Sequence, residues 1–114
     1  MTQVIDSREI RVESKPVVTG LPAGMYVEYF GQMPDQQRTF IIIRPRDNWE
    51  YSDFVCIIDG RNIPISRVTR YRDGGTTDIE TDAGKFHFPT PFQKDGKATF
   101  NGLNVTKFER EYAN

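Results

Sequence analysis

Residues 69–88 read Thr69-Arg70-Tyr71-Arg72-Asp73-Gly74-Gly75-Thr76-Thr77-Asp78-Ile79-Glu80-Thr81-Asp82-Ala83-Gly84-Lys85-Phe86-His87-Phe88. Short stretches of β-branched and aromatic residues alternate here with turn signals built on Asp and Gly. Gly, Asn and Asp tolerate the positive φ of tight hairpin turns, whereas Val, Ile, Thr, Phe and Tyr suit a pleated, half-buried strand. The segment therefore reads as three antiparallel strands. With Asp73-Gly74-Gly75 as a three-residue loop, Arg70 faces Asp78 and Thr69 faces Ile79, which sets Ile63, Ile65, Thr69 and Tyr71 on an inner face. With Ala83-Gly84 as a two-residue loop, Ile79 faces Phe88, Thr81 faces Phe86 and Glu80 faces His87. Both loops place Ile79, Phe86 and Phe88 inside. A slip of one residue would turn a strand over, so this agreement carries weight.

Further turn signals stand at Asp59-Gly60, Asp95-Gly96 and Asn101-Gly102. The last is the clearest: Phe100 and Leu103 flank an Asn-Gly pair, the usual sequence of a type I′ hairpin. Strands at this spacing predict an all-β, mainly antiparallel domain, a small barrel or sandwich with a meander in its C-terminal half. After the last hairpin, Thr106-Lys107-Phe108-Glu109 has the spacing of a capping box. A short C-terminal helix over 107–113 is one expectation and a continued strand the other.

Phe40-Ile41-Ile42-Ile43 and Phe54-Val55-Cys56-Ile57-Ile58 do not alternate. Such runs suit strands covered on both faces, either by a second copy of the chain or by a shielding N-terminal segment. Residues 1–15 read as an arm or edge strand and 16–114 as one β domain. A chain of 114 residues with eight Phe, five Tyr and one Trp has the size and the aromatic content to fold around a core. No apolar run approaches membrane-span length, and the polar start carries no signal-peptide pattern. The single cysteine, Cys56, lies in an apolar run and reads as a buried, inert thiol in a reducing, cytoplasmic setting.

Net charge is −1, but residues 38–72 hold seven Arg, no Lys and four acids. That excess is too local for a general nucleic-acid coat. It does suit a shaped anion site, because a guanidinium binds phosphate or carboxylate as a fork and aromatic faces stack on bases or on the guanidinium itself. The candidate ligand-binding residues are Arg44, Arg46, Trp49, Tyr51, Arg67, Arg70, Tyr71 and Arg72, with Arg61 nearby in sequence. Arg44 and Arg46 are two apart, around a Pro45 that marks a strand leaving its sheet or lying at an edge. The loop 47–53 that follows carries Trp49 and Tyr51; Trp49 either offers a contact surface or plugs one end of the domain. Against a ligand site stand cross-strand pairing of Arg70 with Asp78 and neutralisation of other arginines by Asp47, Glu50, Asp53 and Asp59.

His87 is the only histidine, and the register above pairs it with Glu80. One His and one Cys leave a zinc site short of ligands, while Asp78, Glu80 and Asp82 read as a solvated strand face. Phe88-Pro89-Thr90-Pro91-Phe92 reads as a stiff crossing of one end of the domain.

The sequence thus points to a non-enzymatic binding domain without cofactor or metal, forming a homo-oligomer. An anionic partner is preferred: a nucleotide-like small molecule, a short nucleic acid or an acidic protein surface. A second reading is a structural or inhibitory protein-interaction module, of the kind phages and mobile elements encode, docking through the apolar strands. A third is a small hydrolase or isomerase using His87 with a nearby acid.

Overall fold

The structure, a computed structural model, describes residues 20–72, 75–89 and 97–114. Among these, ten strands form two five-stranded antiparallel sheets. β1 (Met25–Gln32), β2 (Thr39–Pro45), β3 (Val55–Ile58) and β4 (Arg61–Ile63) follow one another in the first sheet, and β10 (Phe108–Ala113) returns to pair with β1. The second sheet is the meander β5 (Ile65–Arg70), β6 (Thr77–Thr81), β7 (Gly84–Phe88), β8 (Thr99–Phe100) and β9 (Leu103–Asn104). The sheets stack as a sandwich and do not close into a barrel.

The chain changes sheet twice. Pro64 lies between β4 and β5, where a residue without an N–H ends one ladder before the next begins. Residues 105–107 cross back: Thr106 N donates to Gln32 O (3.3 Å), and Gln32 N donates to Thr106 Oγ1 (2.7 Å). This crossing runs directly over Gly31. A Cβ built there would lie 2.1 Å from the Thr106 carbonyl oxygen. The glycine is needed for close approach of backbone to backbone.

The main core lies between the sheets. Phe40, Ile42, Cys56 and Ile58 of the first sheet meet Ile79, Phe86, Phe88 and Phe100 of the second. Phe40 lies 5.0 Å from Phe86, and Tyr29 lies 5.4 Å from Phe88. A smaller cluster covers the other face of the first sheet, where Tyr26, Ile43 and Tyr112 pack with Leu21 and Ile41. Both apolar runs are therefore largely covered within one chain, with Ile41 and Val55 partly exposed.

Residues 107–113 are not helical. Phe108–Ala113 pairs with β1 from Phe30↔Phe108 to Met25↔Ala113. The period-two pattern Phe108, Arg110, Tyr112 prevails over the capping spacing, because it stacks Tyr112 on Tyr26 and brings Arg110 to the buried Glu28. The two upstream loops also differ from expectation. The β6–β7 loop is Asp82-Ala83, with Thr81 Oγ1 accepting from the N–H groups of both Ala83 and Gly84. Gly84 instead sits in the ladder, where a Cβ would meet the Phe100 ring at 2.5 Å. The shift is two residues, so Ile79, Phe86 and Phe88 keep their inward face and only their partners change, Ile79 now facing Phe86.

The β5–β6 register differs by one residue from the expected one at its loop end, where Tyr71 N donates to Thr76 O, and a bulge between Ile65 and Arg67 shifts it again upstream. Val68, not Thr69, faces Ile79, and Arg70 faces Thr77 rather than Asp78. Tyr71 is exposed instead of lying inside. The Asn101-Gly102 hairpin has the expected register, Phe100↔Leu103, with φ of 51° and 83°. Asp73-Gly74, Asp95-Gly96, Thr90-Pro91-Phe92 and the 1–15 arm lie wholly or largely outside the described residues.

Gly31→Ala should lower unfolding free energy by about 2 kcal/mol or more, since the new methyl group must push the 105–107 crossing off the core. Urea denaturation checks this; a change under about 0.5 kcal/mol, the size of an ordinary surface substitution, would show that the crossing yields freely.

Candidate functional site

Along β2 the inward positions run Phe40, Ile42, Arg44; along β5 they run Val68, Arg70. Two apolar rows thus end in arginine at the same end of the sandwich. Between them lies Trp49, half-buried in the loop after β2 and packed edge-on against Phe54, with ring centroids 4.8 Å apart at 79°. One turn of 3-10 helix, Tyr51–Asp53, follows it, and Glu50 N donates to Asp53 Oδ2 there (2.8 Å). Trp49 therefore does plug one end of the domain. The plug also carries charge: the guanidinium carbons of Arg44 and Arg70 lie 5.8 and 5.6 Å from the Trp49 ring centroid.

Beside this group opens a cavity of about 190 Å³, lined by Tyr29, Arg44, Trp49, Arg70, Phe88 and Lys107 among others. The Lys107 ammonium lies over the Tyr29 and Phe88 rings and contacts Glu109. Arg44 is held in place: Nε and Nη2 donate to Tyr29 Oη (3.1 and 3.0 Å), and Nη1 donates to the carbonyls of Pro45 (2.9 Å) and Arg46 (3.1 Å). Four of its five N–H donors are thereby used. Burial raises the Tyr29 hydroxyl above the ordinary tyrosine range, with Arg44 pulling the other way, so it keeps its proton at neutral pH. Tyr29 Oη accepts from Arg44 and its own O–H is left to donate. Among the described residues, neither Arg44 nor Arg70 has a carboxylate within 4.0 Å, and Arg70 donates no hydrogen bond.

The remaining sequence candidates lie elsewhere. Arg46 shares this end of β2, but its guanidinium meets Asp47 (3.1 Å) and Glu111 (3.8 Å). Arg67 is exposed and pairs in register with Glu80 on the opposite face of the second sheet. Tyr71 is exposed, and its hydroxyl donates to Asp78 Oδ2 (2.9 Å). Tyr51, Arg61 and Arg72 are exposed in the 3-10 turn, a hairpin strand and a loop. Tyr29, Phe88 and Lys107 complete the pocket without having been candidates. Lys107 and Glu109 are two apart in sequence, a signal available once residues 108–113 are read as strand.

His87 is held by Asp78, not Glu80. Its Nδ1 and Asp78 Oδ1 are 2.5 Å apart, and Lys85 Nζ is 3.7 Å from the same carboxylate. Asp78 is itself buried, contrary to a solvated acidic face. This cluster lies on the opposite side of β6 from Thr77, which lines the cavity. No protein-family model, no curated protein and no solved structure matches this chain. The chemistry of the site must carry the functional argument.

Cys56 takes no part in it. Burial pushes its thiol up to about 12, so at pH 8 only roughly one molecule in ten thousand holds a thiolate. Iodoacetamide at pH 8 should leave the native protein unlabelled and label it fully in denaturant. The two pocket arginines should separate in stability. Arg44→Gln loses the ties to Tyr29 and to the strand-end carbonyls and should cost about 1–2 kcal/mol in urea denaturation. Arg70→Gln should stay within about 0.5 kcal/mol of wild type.

Proposed function

We propose that this chain is a binding domain whose end pocket takes an anionic group. One observation carries the reading: two guanidinium groups converge on one tryptophan ring beside a cavity, with no carboxylate against either among the described residues. Arg44 is partly buried and Arg70 exposed at the rim, and an anion between such convergent like charges would relieve their repulsion. The cavity offers donors toward a ligand: the Arg70 fork, the last Arg44 N–H, the Tyr29 hydroxyl and the Lys107 ammonium. An oxyanion, which only accepts hydrogen bonds, is the matching partner. Aromatic walls from Trp49, Phe54 and Phe88 favour a ligand with a flat or apolar body over a bare ion.

The second reading, a protein-interaction module, has its own support on the outer side of the first sheet. Phe108, 58% exposed, stands against Phe30 with centroids 5.7 Å apart, beside a groove of about 560 Å³ that includes Ile41, Glu28 and Arg110. Most of the β2 and β3 runs is covered, and Ile41 of the β2 run lines this groove, so such a partner would dock here.

Trp49 is the only tryptophan, so its emission reports on the pocket alone. Benzoate and phenyl phosphate should change that emission saturably, and benzyl alcohol should not. Arg70→Gln should weaken anion binding by at least about tenfold, the loss expected for charge-assisted hydrogen bonds. Equal binding of the alcohol, or unchanged anion binding by Arg70→Gln, would overturn the reading.

A further inference from the structure

The charge around the cavity narrows the ligand class further. Resting on the anion-binding reading, we infer that the pocket is built for a doubly charged phosphoryl group at the end of a small molecule, a phosphate monoester rather than a carboxylate. Among the described residues, Arg44, Arg70 and Lys107 bring three positive charges to the lining and Glu109 one negative, a net of +2. A carboxylate would leave half of that uncompensated. A phosphate monoester carries about −1.5 to −2 at pH 7 and three terminal oxygens that only accept.

Geometry agrees with that number of acceptors. The Arg70 fork has all its donors available among the described residues, and it can take two oxygens side by side. The last Arg44 N–H and the Tyr29 O–H are left for the third, and Arg44 is already fixed by its bonds to Tyr29, Pro45 and Arg46. Size agrees as well. At about 190 Å³, the cavity holds the space of roughly six waters, enough for a phosphoryl headgroup but below the range of about 300 Å³ and more that encloses whole drug-sized ligands. The organic body therefore lies outside the enclosed part, against the aromatic lining.

Phenyl phosphate and benzenesulfonate share a body and a tetrahedral headgroup but differ in charge at pH 8. Titrated against Trp49 emission at that pH, phenyl phosphate should bind at least about tenfold tighter than the sulfonate, because one more unit of charge faces the two arginines. Arg70→Gln should remove most of that preference, and Arg67→Gln, on the far face, should keep it. Inorganic phosphate and adenosine 5′-monophosphate, run alongside, tell free phosphate from an ester. Tighter binding of the esters marks the body as part of recognition. Equal affinity for phenyl phosphate and the sulfonate, with both lost in Arg70→Gln, overturns the dianion inference and leaves the anion pocket standing. Saturable binding of neither overturns both.

Discussion

Phe40 of the first sheet and Phe86 of the second meet at 5.0 Å, and the rest of the domain is arranged around that contact. Each lies at the centre of its sheet's inner face and is fully buried. Phe88 and Phe100 pack on Phe86 at 5.8 and 4.7 Å, which ties β7 and β8 of the second sheet to one surface of β2. Aromatic pairs of this kind add roughly 0.5–1.5 kcal/mol each beyond the area they bury. The layer also sets spacing. Gly31 lets the 105–107 crossing approach β1, and Gly84 of β7 makes room for the Phe100 ring of the neighbouring β8.

With the middle filled by phenylalanine, the ends must be made differently. A sandwich is open where its strands stop, and the inward rows there no longer have a facing layer to bury against. In this chain the rows of β2 and β5 both turn polar at the same end, at Arg44 and Arg70. Trp49 closes the gap with an apolar body beneath two cations. A guanidinium over an aromatic face is held without a carboxylate, with Arg44 partly buried and Arg70 exposed at the rim.

The sequence showed the class of fold plainly, because turn residues and strand formers are local signals. It showed faces better than partners. The β6–β7 pairing could move by two residues with no change in which side chains point inward, so alternation alone could not distinguish Glu80 from Asp78 as the partner of His87. β5 was misread for a different reason: its register with β6 is one residue off at the loop end, and a bulge that nothing in Ser66-Arg67 announces keeps Ile65 inward as well. The one-residue change of register moved Tyr71 from the inner face and placed Arg70 there. Half of the pocket was legible, since Arg44, Trp49 and Arg70 stand in a segment rich in arginine and aromatics. Tyr29, Phe88 and Lys107 were not, because they come from β1, β7 and the approach to β10, and only the packed sheets bring them together. In β2 the continuous run Phe40 to Ile43 also hid which residues share a face with Arg44.

The positive character of the pocket is a matter of placement, not of composition. Acids outnumber bases by one in the whole chain, and several stand close by in sequence. Asp47 meets Arg46, Asp53 accepts from the backbone of its own turn, Asp35 holds Arg38, and Glu28 holds Arg110 on the far face of the first sheet. Of the described carboxylates, Glu109 lines the cavity, and its contact is with Lys107. None of these acids turns toward Arg70, whose exposed guanidinium keeps its donors toward the cavity mouth. The arginines instead face a space bounded by aromatic rings and hydrogen-bond donors.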